Sequence, residues 1–146
     1  AARAGILHDI TKAIDGPLQL TLCDAYGKLL SDFSKRYPKT LHALTGSLVA
    51  ERIFGENKAV VDAIESHTTG KANMNMLEKI IYVADLTSDD RDYPDVKEVR
   101  ELAEKSLDKT CLRGLSFTIE DNARKCRPIH IDTVKAYNYL AERINK

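Results

Sequence analysis

Four histidines, His8, His42, His67 and His130, carry most of the chemistry this sequence offers. Imidazole binds metals and exchanges protons near neutral pH. His8, His42 and His67 are tens of residues apart, each beside a polar or turn-like stretch near a predicted helix end. They share a site only if separate helices carry them inward, the way helix bundles build metal centres. His8 is followed directly by Asp9. Neighbouring helical residues diverge by about 100°, so both reach one ion only where their helix meets it obliquely. The surrounding Ile6, Leu7 and Ile10 predict a largely buried turn. A carboxylate late in a helix faces the negative end of the macrodipole and loses hydration on burial. A bound divalent cation relieves both penalties. The plainer alternative is a buried Asp9 satisfied by Lys12 or by a neighbouring helix.

Asp85 poses the same problem on another helix. It lies four residues beyond Ile81, on the inward stripe of the segment from Leu77 to Leu86 and in its last turn. Capping the following Thr87-Ser88 turn is its alternative role. A mixed imidazole and carboxylate shell suits iron, manganese or zinc, and disfavours a pure magnesium or calcium site.

The elements that must position these groups are helical. The first segment is predicted to run to about Lys12 and to stop at Asp15-Gly16-Pro17. Leu18 to Leu30 forms a short helix weakened at Gly27, and Asp32 to Pro38 a short helix or turn. Thr40 suits the N-cap of a helix with Leu41, Leu44, Leu48 and Ile53 inward and Gly55 at its stop. Asn57 caps the next, with Val60, Val61 and Ile64 inward and His67-Thr68-Thr69-Gly70 at its end. Asn75-x-x-Glu78 has the form of a capping box, and Asp95-x-x-Glu98 repeats it before Val99 and Leu102. Asp108 opens a further helix. Asp132 caps the last, whose stripe is Ala136, Tyr137, Leu140 and Ile144. The expected fold is all-α, with seven or so helices in one bundle.

Composition narrows the partners. The 146 residues hold 22 Lys+Arg against 22 Asp+Glu, with 43% hydrophobic and 30% charged residues. That balance is globular and excludes wholesale disorder. Zero net charge removes the footprint of a general nucleic-acid binder, and no apolar run approaches the roughly 18 residues of a membrane helix. Cys23, Cys111 and Cys126 are scattered and form no CxxC pair, which favours reduced thiols in a cytoplasmic chain. The apolar-periodic opening from Ala1 to Leu7 reads as a helix already under way, as though an upstream part were absent.

Four motifs occur in order along the chain: Ala4-Gly5-Ile6-Leu7-His8-Asp9-Ile10-Thr11-Lys12, His42-Ala43-Leu44-Thr45-Gly46, His67-Thr68-Thr69-Gly70 and Tyr82-Val83-Ala84-Asp85. Together they resemble the HD-domain phosphohydrolases. With Arg91 and Ile129-His130-Ile131-Asp132-Thr133, the wording is similar to the bacterial YqeK-type subgroup, symmetrical tetraphosphatases that split diadenosine tetraphosphate into two ADP. The resemblance spans essentially the whole chain. It implies one HD-domain helical bundle over residues 1–146, incomplete at its N-terminus, and a further histidine ligand upstream.

The resemblance further implies that His8, Asp9 and Asp85 ligate a divalent transition metal, with iron favoured and manganese or cobalt as alternatives. It assigns catalysis to Asp9, Lys12, His42 and His67. Substrate contacts fall to Asp9, Ile10, Thr11, Lys12, His42, His67, Thr68, Asp85, Arg91, Pro128, Ile129, His130, Ile131, Asp132 and Thr133. His42 and His67 either contact phosphate or ligate a second ion. One departure concerns Arg91: the subgroup's Glu-Pro-x-Arg connection reads Ser88-Asp89-Asp90-Arg91 here, which leaves its placement open. The expected partner is a small dinucleoside polyphosphate or ADP, with no nucleic-acid polymer and no membrane. A homodimer is also compatible, since Val99 and Leu102 suit an interface as well as a core. Two other readings stand beside this one. One is an HD-family nucleotidase or phosphodiesterase acting on another nucleotide. The Gly-Tyr-Pro signature of cyclic-dinucleotide cleavage is missing after His67, which disfavours that substrate. The other is a catalytically weak nucleotide-binding module.

Overall fold

The structure, a computed structural model, describes residues 1–144 apart from the side chain of Lys39. Among the described residues there are nine α-helices and no strands, and no helix is long and apolar enough to cross a membrane. The chain divides into two compact units, Ala1–Thr68 and the segment from Thr69 onward. The first holds α1 (Ala2–Leu7), α2 (Gly16–Ala25), α3 (Asp32–Arg36), a 3-10 turn (Pro38–Thr40), α4 (Leu41–Arg52) and α5 (Lys58–Ser66). Here α4 packs against α2 and α5, and α1 against α5. Leu41, Leu48, Cys23 and Ile64 are buried in this unit. The second holds α6 (Met76–Thr87), α7 (Val96–Lys105), α8 (Leu107–Arg124) and α9 (Ile131–Ile144). Here α8 packs against the other three, around Tyr82, Cys111, Leu115, Ala136 and Leu140.

Short polar side chains set most helix starts by accepting an otherwise orphaned backbone N–H, each worth about 1 kcal/mol. Asp15 accepts from Leu18, Ser31 from Ser34, Asn57 from Val60 and Ser106 from Lys109. Asn75 and Glu78 form the full reciprocal capping box on α6. Gly70 serves the start of the second unit in two ways. Its φ of +64° suits glycine, and a Cβ there would press on Leu115 at 3.1 Å and Ala136 at 3.3 Å.

Several local expectations fail where tertiary contacts override pattern. The first helix ends at Leu7 rather than near Lys12. From there the chain follows single turns, with Ile10, Lys12 and Ile14 each bonding the carbonyl three residues back. Thr11 is drawn inward to contacts with α4, while Ile6 and Ile10 are 78% and 40% exposed, so the His8-Asp9 turn is less buried than its apolar neighbours suggest. Ile53 lies past the end of α4 and is exposed. Asp95 adopts φ +70° and turns its carboxylate to Arg113, so it makes no cap bond on α7. Ser106, not Asp108, caps α8. At α9 the opening N–H of Asp132 donates to His130 Nδ1 at 3.2 Å, so the imidazole takes the capping role.

Candidate metal and phosphate site

Two histidines of the first unit are oriented by the same local device. His8 follows the last residue of α1, and its Nδ1 lies 2.7 Å from the carbonyl of Gly5. His67 follows the last residue of α5, and its Nδ1 lies 2.7 Å from the carbonyl of Ile64. A carbonyl only accepts, so each Nδ1 carries the hydrogen, and in the neutral form of the ring that leaves the lone pair at Nε2. Both lone pairs face one carboxylate. His8 Nε2 is 3.4 Å from Asp9 Oδ2, and His67 Nε2 is 3.5 Å from Asp9 Oδ1. His42, in the first turn of α4, places its Nε2 3.4 Å from the same Oδ1.

These separations decide between two chemistries. Charge-assisted N–H···O bonds measure about 2.7–2.9 Å, shorter than any of the three. Donors that each sit about 2.1 Å from one ion lie roughly 3.0–3.4 Å apart, close to what is seen. Electron-pair donors facing a carboxylate also repel one another unless a cation lies among them. The donor set of His8, Asp9 and His67 has all its ligand atoms within 4.8 Å of one another and therefore fits a divalent transition metal. The His67 side chain is fully buried and that of Asp9 is 29% exposed, so the carboxylate forms the open side of the cluster. Lys12 donates to Asp9 Oδ2 at 2.6 Å. Burial pushes the Asp9 carboxyl up, but the hydrogen bond and positive charge of Lys12, joined by the His8 and His67 rings whenever they carry a second proton, outweigh it and hold it below the ordinary carboxylate value.

A buried polar network supports this turn from behind. The Thr11 hydroxyl donates to the His42 carbonyl at 2.9 Å and lies 2.8 Å from the Thr45 hydroxyl. Thr45 also bonds Gln19 Oε1, and Gln19 Nε2 donates to the Thr11 carbonyl at 2.7 Å. Gly46 lets α4 come close, since a Cβ there would meet the His8 carbonyl oxygen at 3.3 Å. Sequence reasoning did not single out Gln19 as part of this support, because a lone glutamine in a short helix carries no pattern. His67, read from the sequence as a phosphate contact or a ligand to a second ion, stands with its Nε2 beside the same carboxylate as that of His8. The signal available for it was a second histidine at a helix end.

Ile10 and Thr68 directly follow Asp9 and His67 in sequence, and the other predicted residues belong to the second unit. Ile10 is exposed, and Thr68, at the end of the first unit, has a buried hydroxyl. Asp85 and Arg91 meet in the second unit. Arg91 donates from Nη2 to Asp85 Oδ1 at 2.7 Å and from Nε to the Asp85 carbonyl at 3.0 Å. The guanidinium thus reaches Asp85 without the proline of the related connection. Pro128 to Thr133 form the approach to α9, where Thr133 is buried and Ile131 exposed.

A histidine-aspartate pair at a helix end, joined by further histidines from other helices, is the pattern of a known family, and the chain belongs to it: the HD domain family matches residues 1–90. Among individual proteins, it is 33% identical over 138 residues to the symmetrical bis(5'-nucleosyl)-tetraphosphatase of Bacillus subtilis (strain 168), covering 94% of this chain and 74% of that protein. It is 37% identical over 142 residues to the protein of the same name from Halalkalibacterium halodurans, covering 96% and 75%. The crystal structure of a predicted HD superfamily hydrolase from Clostridium acetobutylicum, described as involved in NAD metabolism, superposes with a TM-score of 0.92 at 38% identity. That likeness covers 96% of this chain and 75% of the other.

Proposed function

We propose that this chain hydrolyses diadenosine tetraphosphate and related dinucleoside polyphosphates symmetrically, releasing nucleoside diphosphates such as ADP. The observation that carries the reading is the convergence of three imidazole Nε2 atoms on the Asp9 carboxylate. The relatives named as symmetrical tetraphosphatases support the substrate class. A divalent transition metal, iron in first place, would be held by His8, Asp9 and His67, and the order of motifs supports Asp85 as a further ligand. Such an ion supplies a lowered pKa to water and polarises a phosphoryl oxygen.

The chain's own residues do the rest. The Gly5 and Ile64 carbonyls lock the His8 and His67 rings, so their donor atoms need no reorganisation on binding. Lys12, half exposed beside Asp9, presents a point charge that neutralises phosphate oxygens. Arg91, held on Asp85 through Nε and Nη2, keeps a fixed positive charge to attract phosphate. His42, whose side chain is 13% exposed, donates a hydrogen bond to phosphate or a proton to the departing bridging oxygen. In balance, hydroxyl from water adds to one central phosphorus, the central P–O–P bond breaks, and the leaving ADP takes the proton. Free, unbridged Cys23, Cys111 and Cys126 support a cytoplasmic setting.

The test is product analysis. The purified chain is stripped with chelator, reloaded separately with Fe(II), Mn(II) or Co(II) under anaerobic conditions, and given diadenosine tetraphosphate. ADP as the sole product supports the reading. ATP with AMP, or no turnover with any of the three ions, overturns it.

A further inference from the structure

We propose that Arg100 is the positioning residue of the segment that carries Asp85 and Arg91. A helix end leaves its last four carbonyls without intrahelical partners, and most helices close with a glycine or a backbone N–H. The end of α6 does neither. Ser88 leaves the helix in an extended conformation, and side chains from downstream take the carbonyls. Arg91 Nε takes that of Asp85, and the Tyr93 hydroxyl donates to Leu86 at 3.1 Å. Arg100, on α7, then spans the rest of the turn. Its Nε donates to Thr87 at 3.0 Å, and its Nη2 donates to Ser88 at 2.7 Å and to Arg91 at 3.3 Å.

All three bonds end on backbone oxygens, on both sides of the turn that leads from Asp85 to Arg91. One rigid guanidinium therefore fixes the spacing of the turn's two ends, and that spacing lets the Arg91 fork close on the carboxylate and carbonyl of Asp85. Buried Val96 and Val99 anchor α7, so the clamp has a firm base. A lysine would keep the charge but lacks the rigid planar fork through which Nε and Nη2 reach the three carbonyls. The proposal rests on the reading that Asp85 and Arg91 serve the hydrolysis described above.

The experiment uses the full chain with four variants: D85N, R100K, R100Q and, as a control on the exposed face of the same helix, E101Q. Three quantities are measured: Mn(II) affinity by titration, kcat and KM for diadenosine tetraphosphate, and amide hydrogen exchange of residues 88–91 in the metal-free protein. D85N is expected to lose more than about 100-fold in activity. R100K and R100Q are expected to weaken Mn(II) binding by about 10-fold, to lower kcat, and to speed exchange at Arg91, whose N–H donates to Ser88. E101Q is expected to match the parent in all three. If R100Q does not fold, R100K carries the test. Parental Mn(II) affinity, kcat and exchange in folded R100K, alongside an inactive D85N, would overturn the role of Arg100 alone. Parental activity in D85N would instead overturn the assignment of Asp85, and with it this proposal.

Discussion

At His8 and His67 in the first unit backbone carbonyls orient side chains, whereas at the Asp85 turn in the second side chains hold backbone carbonyls. His8 and His67 each rest Nδ1 on a carbonyl three residues back, an arrangement that the end of one helix makes by itself. The Asp85 turn is held by Arg91, Tyr93 and Arg100, residues up to thirteen positions downstream of the carbonyls they bond and partly on another helix. The first device fixes a ring within one helix turn, while neighbouring groups such as Gly46 and Thr45 govern where that turn sits. The second fixes a backbone path and fails when a distant residue changes. One consequence follows for tuning: substitutions that leave the chemistry of the second unit intact can still displace it.

The largest test of this contrast breaks the histidine cluster itself. Asp9→Asn or His67→Ala is expected to lower kcat and retained metal by more than about 100-fold, beyond the 10–100-fold usual for outer-shell changes. Steady-state kinetics with metal analysis of the same samples checks it. Gly46→Ala tests how closely α4 must approach the His8 turn. Its Cβ would sit 3.3 Å from the His8 carbonyl oxygen, so overpacking of about 1–3 kcal/mol and a kcat loss of roughly 10-fold are expected. Denaturant titration and kinetics on one preparation separate the two effects.

Thr45→Val probes the network behind the turn. It removes the hydroxyl shared by Thr11 and Gln19 and is expected to cost about 1–3 kcal/mol, read from urea midpoints. The smallest effect compares buried thiols across the units. Burial pushes the Cys111 thiol up to about 12, and burial raises Cys23 as well. Only exposed Cys126 should react with iodoacetamide in the native protein. The raised thiol pKa has a definite sign. Stability tied to neutral Cys111 is complete below its ordinary value of 9.0 and declines as pH rises toward about 12. Unfolding titrations at pH 8 and 11, in the parent and in Cys111→Ala, check that slope.

Much of the molecule was legible one turn at a time. The capping box at Asn75 and Glu78 and the cap at Asn57 stand as their spacing predicted, because a cap is a contact among residues three apart. Asp95 and Asp132 carried the same kind of signal and misled. At Asp95 the left-handed backbone turns the carboxylate toward Arg113, and at α9 the imidazole of His130 reaches the amide instead. The short α1 misled for a related reason. Nothing in the spacing of Ile6, Leu7 and Ile10 reveals that Thr11 will be drawn to the carbonyl of His42.

What the amino-acid sequence determined by itself was the helical class, most helix starts, and the residue types from which a metal site must be made. Each rests on local physics, namely periodicity, capping and donor chemistry. Only the tertiary structure decided that His67 joins His8 and Asp9 within 4.8 Å, and that Arg100 closes the turn after Asp85. Those contacts depend on how helices pack against one another, and packing sums many weak apolar contacts that no single motif spells out.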